Sequence, residues 1–168
     1  MIYEKLSEMA AVMGIVLIAL AYLAIRGWRS RSAAQSKLIA QLPSGFEPAG
    51  DNKVSDLYYV VTTVSGAPLE RIMRFGLGNR GKAVANLSEA GLILDRTGEE
   101  PLFLDASSIK SANTASATIG KAVERDGLVV VTWTNGTAEF DTYLRVLNQE
   151  FRVQLLNAYA ISTAKKVG

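Results

Sequence analysis

Residues 126–159 read DGLVVVTWTNGTAEFDTYLRVLNQEFRVQLLNAY, and their pattern decides the fold. Asp126-Gly127 and Asn135-Gly136 are the strongest hairpin signals in the chain, because both pairs favour a backbone with positive φ. They bracket an apolar, β-branched run, Leu128 to Thr134. The strand predicted next, Thr137 to Val146, places Phe140, Leu144 and Val146 on one face, since side chains alternate along a strand. Asn148 then reads as a helix N-cap. Beyond it Phe151, Leu155 and Tyr159 recur at helical spacing, with Leu156 and Ala158 widening the stripe, and Lys165-Lys166 suits a helix C-terminus. A hairpin followed by an amphipathic helix predicts a sheet whose open mouth the helix covers.

Working upstream, short β patterns alternate with turn signals at close spacing. Leu57–Val64 (LYYVVTTV) is β-branched and aromatic. Lys82–Ser88 alternates, with Ala83, Ala85 and Leu87 on one face. GLILD follows a turn at Ser88–Gly91, and LFLD (Leu102–Asp105) follows Pro101. Ser107–Ala117 is polar but compatible with a strand, and GKAVE (Gly120–Glu124) closes the series. The predicted fold class is mainly β with a C-terminal α-helix, about seven or eight antiparallel strands in a barrel or sandwich.

The N-terminal part is of another kind. Met9–Ile25 (MAAVMGIVLIALAYLAI) has no charge and no proline, and as a helix it spans roughly 25 Å. Leu6, Gly27 and Trp28 extend it toward the hydrocarbon thickness of a bilayer, with Trp28 at the interface. Glu4, Lys5 and Glu8 before the run argue against a cleaved signal peptide, which wants a basic start. Arg26, Arg29, Arg31 and Lys37 follow it, with no acid until Glu47. By the positive-inside rule the N-terminus faces out and the domain faces the cytoplasm, at the plasma membrane. Ala10 and Gly14 form a small-residue pair that can support a homo-oligomer. The predicted organisation is an anchor over residues 1–28, a basic juxtamembrane segment and linker over 29–55, and a β domain over 56–168. Within the linker, LPSGFEPAGDNK (Leu42–Lys53) reads as a flexible spacer.

The strands-then-helix order resembles the pleckstrin-homology-like (PH-like) fold. More narrowly, the chain is similar to actinobacterial membrane proteins with one N-terminal helix and a PH-like domain, often labelled export or membrane proteins. The residues carrying the likeness are Thr62-Thr63, LERI (Leu69–Ile72), GLGNRG (Gly76–Gly81), EAGLILDR (Glu89–Arg96), GKAVERDGLVVVTW (Gly120–Trp133) and FDTYLR (Phe140–Arg145). The likeness as a whole spans about Met9 to Ile161, nearly the whole chain. Tyr143 stands where that family's DTGxR-like stretch has glycine. The resemblance implies a PH-like barrel of about seven strands behind a single transmembrane helix.

The chemistry available is narrow. The 168 residues hold no histidine and no cysteine, which removes Ser-His-Asp and Cys-His machinery, disulfides and the usual zinc sites. A net charge of +2 with no long basic run gives no nucleic-acid footprint. Asp95, Glu99, Glu100, Asp105, Asp126 and Asp141 show no convergent spacing. No catalytic residue, metal set or cofactor is therefore expected, and the chain is read as non-catalytic.

One segment stands out. Pro68–Lys82 (PLERIMRFGLGNRGK) carries Arg71, Arg74, Arg80 and Lys82 against Glu70 alone. Phosphoinositide-binding PH domains clamp phosphates with basic residues in the corresponding loop, by charge-assisted hydrogen bonds. The bland alternative is a docking or structural loop whose glycines turn the chain. Trp133 reads as core, and Arg145 as one half of a structural ion pair with Asp141, Asp105 or Asp95. Three functional readings follow. In the first, a tethered interaction module docks a membrane or peripheral protein. In the second, the domain binds anionic lipid headgroups. In the third, the chain is an accessory subunit of a transport or export complex.

Overall fold

The computed structural model describes residues 9, 12–27, 38–43, 45–115, 117–118, 121–122 and 127–160. The chain divides into two compact units, Met1–Lys37 and Leu38–Gly168.

In the first unit, residues 12–27 are helical. At 1.5 Å per residue this stretch covers about 24 Å, short of a ~30 Å hydrocarbon core. Among the described residues no helix is long and apolar enough to cross a membrane. The spanning helix expected over 9–25 is thus not part of what the structure shows. Ala10, Trp28, Arg29, Arg31 and Lys37 lie outside the described residues.

The second unit is mainly β, a curled antiparallel sheet in the form of a half-barrel with a C-terminal helix. Its strands are β1 (Lys53–Val64), β2 (Ala67–Arg71), β3 (Gly81–Ser88), β4 (Gly91–Arg96), β5 (Leu102–Asp105), β6 (Ile109–Ala115), β9 (Leu128–Asn135) and β10 (Ala138–Val146). The order across the sheet is β5-β4-β3-β1-β10-β9-β6, with β2 added against β1. Two short strands, β7 (Ala117–Thr118) and β8 (Lys121–Ala122), pair separately where the GKAVE strand was expected. Val123 to Asp126 lie outside the described residues, so of the two hairpin signals the structure reports Asn135-Gly136, with Gly136 at φ 62°.

Alternation fills the inside. Leu57 and Tyr59, Ala83, Ala85 and Leu87, Leu92 and Leu94, Val129, Val131 and Trp133, and Phe140, Leu144 and Val146 all point into one core. Trp133 is fully buried against Phe140, with ring centroids 4.9 Å apart. The helix Gln149–Ala158 closes this core with Phe151 and Leu155. Asn148 caps it, its side-chain oxygen accepting from the Phe151 N–H at 3.1 Å. Tyr143, the departure from the glycine pattern, is buried with Val61 and Leu128 in a second, smaller cluster.

The domain boundary expected at Asp56 moves upstream. Ile39 is fully buried in the core, and Asn135 Nδ2 donates to the Gln41 carbonyl at 3.0 Å. Phe46 packs edge-on against Phe103, and the Glu89 N–H bonds to the Ala49 carbonyl. The segment read as a flexible spacer is therefore attached to the sheet at several points. Its Pro and Gly content predicts a helix break correctly, but contacts made by Ile39 and Phe46 with distant residues decide where the unit begins.

A buried polar chain crosses the core. Trp133 Nε1 donates to Thr142 Oγ1 at 2.9 Å, and Thr142 Oγ1 lies 2.8 Å from Thr62 Oγ1. Thr62 Oγ1 lies 2.6 Å from the Tyr59 hydroxyl, which donates to the Leu77 carbonyl at 2.8 Å. An indole N–H can only donate and a carbonyl can only accept, so the chain has one direction. Each hydroxyl accepts from the side of Trp133 and donates toward Leu77. Each side-chain polar group of this Trp133–Thr142–Thr62–Tyr59 series is satisfied, as a low-dielectric interior demands.

Candidate functional site

The polar chain ends at Leu77, inside the segment singled out for its charge, and the site is built around that point. β1 pairs with β3 from Lys53↔Leu87 to Tyr59↔Gly81, and then with β2 at Thr63↔Arg71 and Val64↔Ala67. Its pairing with β10 shifts register between Tyr59 and Val61, as at a bulge. The neighbour of β1 thus changes from β3 to β2, and residues 72–80 occupy the split between them. They are tied down there. Thr62 N donates to the Leu77 carbonyl at 2.8 Å and Ile72 N to the Thr62 carbonyl at 3.0 Å. Ile72 and Leu77 are buried in the core. The segment read as one loop is therefore the strand β2, a 3-10 turn at Arg74–Gly76, and a return into β3.

The turn is strained. Phe75 has φ 55°, a left-handed conformation that bulky side chains disfavour. Gly76 also has positive φ, and the Glu99 carboxylate fills the space where a Cβ would sit. One side chain bonds this backbone directly: Arg96 Nη2 donates to the Phe75 carbonyl at 2.9 Å. Beside it Asn79 Nδ2 donates to Glu99 Oε1 at 2.7 Å.

The four predicted basic residues separate into two pairs. Arg80 and Lys82 are exposed and line a recess of about 50 Å³ at the split, with Tyr59, Arg96, Thr97 and Glu99 around it. Arg71 ends β2 opposite Thr63, and Arg74 lies over the neighbouring Phe75 ring at 4.9 Å. The structure brings together Arg80 and Lys82 and leaves Arg71 and Arg74 outside the recess.

Arg96 is the residue sequence reading missed. Its side chain is only 3% exposed, and its guanidinium stacks 5.1 Å from the Tyr59 ring centroid. Nη2 also donates to the Glu100 carbonyl at 2.6 Å. A usable signal was present: Leu92, Leu94 and Arg96 alternate along β4, so the arginine belongs to the inward face. Burial pushes the Tyr59 phenol up to about 12, against the opposing pull of its Thr62 hydrogen bond and the Arg96 charge. The phenol is a neutral hydrogen-bond donor at physiological pH.

The other charges do structural work. Lys110 pairs with Glu139 at the surface, which holds the Glu139 carboxyl below the usual range. Asp141 accepts from Thr132 Oγ1 at 2.8 Å. Among the described residues no three carboxylates gather as a metal site would require.

A half-barrel whose first strands are joined by a tied-down, basic segment, closed by a C-terminal helix, is a PH-like domain. A family model described as bacterial PH domain-like matches residues 39–160, and the chain belongs to that family. The match begins at the buried Ile39, in agreement with the upstream boundary. A search of curated proteins returns no match.

Proposed function

We propose that the chain is a membrane-tethered, non-catalytic interaction module whose β2 segment docks a protein partner. The observation that carries this reading is the exposure of two large apolar side chains beside the basic residues: Leu69 is 82% exposed and Met73 60%. Apolar anchors with a charged rim are the usual composition of a protein-docking surface. The tether is the apolar run 9–25, with its N-terminus outside and the domain on the cytoplasmic face of the plasma membrane. Two things support it. The helical stretch exposes apolar side chains such as Ile15, Leu17 and Ile18, and the basic residues lie on its C-terminal side. The finer resemblance, to actinobacterial proteins with one N-terminal helix, agrees. Tethering raises the effective concentration of domain and partner, so a small docking surface suffices. Replacing both side chains (Leu69→Ser with Met73→Ser) is expected to abolish co-purification of the partner in mild detergent while leaving the fold intact. Undiminished recovery of the same partner contradicts the docking assignment.

A second reading is favoured by a separate observation, the exposure of Arg80 and Lys82 at the mouth of the recess. In it the domain contacts anionic headgroups, an attraction that salt screens.

A further inference from the structure

The outer face of the sheet carries its charges in an ordered pattern. On β1, β3, β4 and β10 the inward positions fill the core, so Asp56, Tyr58, Lys82, Val84, Asp95 and Arg145 point the other way. All six are exposed, Tyr58 to 46% and Val84 to 41%. Strand register sorts them into two rows. Asp56 lies opposite Val84, and Val84 opposite Asp95, so one row reads acid, valine, acid across β1, β3 and β4. Tyr58 lies opposite both Arg145 and Lys82, which also borders the recess. The second row therefore reads base, tyrosine, base across β3, β1 and β10. The rows are two residues apart along the strands, about 7 Å, and like charges within a row are two strands apart, about 10 Å.

The single chain leaves both rows without partners. Among the described residues none of the four charges forms an ion pair. Two acids against two bases make the face neutral, so it has no net attraction for a bilayer surface or any other polyanion. What it offers is segregation of charge about two apolar centres. The occupant that fits is a surface with the same two rows in reverse order. The chain's own outer face, turned about a two-fold axis, is such a surface, as an isologous contact requires.

We infer that this face is a homotypic contact, at which two copies of the chain meet with the acidic row of each on the basic row of the other. The axis lies in the plane of contact, across the strands and between the rows. Asp56 comes over Tyr58 of the second copy, between its Lys82 and Arg145, and Val84 comes over the Lys82 stem. Symmetry repeats the set, and the charge pattern fixes the register of the two sheets. Because the sheet is curled, its outer face is convex and the contact is small, below the ~800 Å² per partner of a standard stable interface. The association is therefore weak and reversible in dilute solution, and copies held at one surface gain from their effective concentration. The inference does not depend on the docking reading, because Leu69 and Met73 lie on β2 and next to the 3-10 turn, outside both rows.

The test uses the full chain in mild detergent, with donor or acceptor dye on Thr137→Cys, an exposed position on the turn between β9 and β10. Energy transfer between donor- and acceptor-labelled chains is followed as concentration rises at constant excess of detergent. A saturable rise is expected, and added salt should weaken it. Reversing the acidic row (Asp56→Lys with Asp95→Lys) should weaken self-association roughly tenfold, and so should reversing the basic row (Lys82→Glu with Arg145→Glu). Mixing the two reversed chains should restore transfer, because one face then carries only cations and the other only anions. Tyr58→Ser with Val84→Ser keeps every charge and should also lower transfer, by removing the apolar centres. No concentration-dependent transfer in the natural chain overturns the inference. Transfer that either reversal leaves unchanged does so too, and places the contact elsewhere, as on the Ala10 and Gly14 pair. Loss in both reversed chains without recovery in the mixture, or full transfer in Tyr58→Ser with Val84→Ser, also overturns it.

Discussion

Tyr59 links the core to the candidate site through a single hydroxyl. It accepts from Thr62 and donates to Leu77, so the order of the 72–80 segment depends on a phenol that must stay protonated. Tyr59→Phe leaves the Thr62 hydroxyl without its acceptor, and a loss of about 1–3 kcal/mol is expected in thermal or urea unfolding of the detergent-solubilised chain. The pH dependence has a definite sign. The folded pKa, pushed up to about 12, lies above the ordinary value of 10.0. The contribution of the neutral phenol is therefore complete below pH ~10 and is lost as pH rises toward ~12, by up to roughly 2–3 kcal/mol. Unfolding curves across that window should fall more steeply for the native chain than for Tyr59→Phe. Parallel curves would show that the phenol is not held neutral by burial. Arg96 is the companion case. It belongs to the inward face by alternation, yet a charged residue at the start of Arg96-Thr97-Gly98-Glu99 reads as part of a solvated turn. The Phe75 and Glu100 carbonyls and the Tyr59 ring, brought together by folding, explain how an arginine is kept inside.

At the scale of elements, local chemistry was legible and long-range pairing was not. The strands at Leu57–Val64, Lys82–Ser88, Leu102–Asp105 and Leu128–Val146, and the Asn148 cap, follow from alternation, turn residues and capping, all readable within a few positions. The exchange of β3 for β2 beside β1 was not readable. It depends on Thr62 bonding to both Ile72 and Leu77, a tertiary choice that leaves no local pattern. The attachment of Ile39 and Phe46 escaped for the same reason. Two substitutions probe the elements. Asn148→Ala removes the cap that meets Phe151 N and should cost about 1 kcal/mol, with faster amide exchange confined to the first turn of the helix. Gly91 begins β4 at φ 145°, where a Cβ would collide with the Leu104 carbonyl of β5. Gly91→Ala should destabilise by more than 1 kcal/mol and open the β4–β5 pair, read as loss of exchange protection in β5. Retained protection there would show that the pair accommodates the added methyl without opening.

In the proposed function, the whole molecule joins a binding domain to a segment that sets where it binds. The absence of cysteine makes the proposed arrangement directly testable, since any introduced thiol is the only one. In intact cells a membrane-impermeant maleimide should label Ser7→Cys. It should spare Thr137→Cys until the membrane is permeabilised. The opposite pattern would reverse the topology. The central claim is that the β2 segment is the face that meets a partner. Its most direct measurement places a photo-crosslinking amino acid at Leu69, and in parallel at Leu147, an equally apolar exposed position at the other end of β10. The account predicts a discrete protein adduct from position 69 in native membranes and none from position 147. Equal adducts from both positions, or none from position 69, would contradict it.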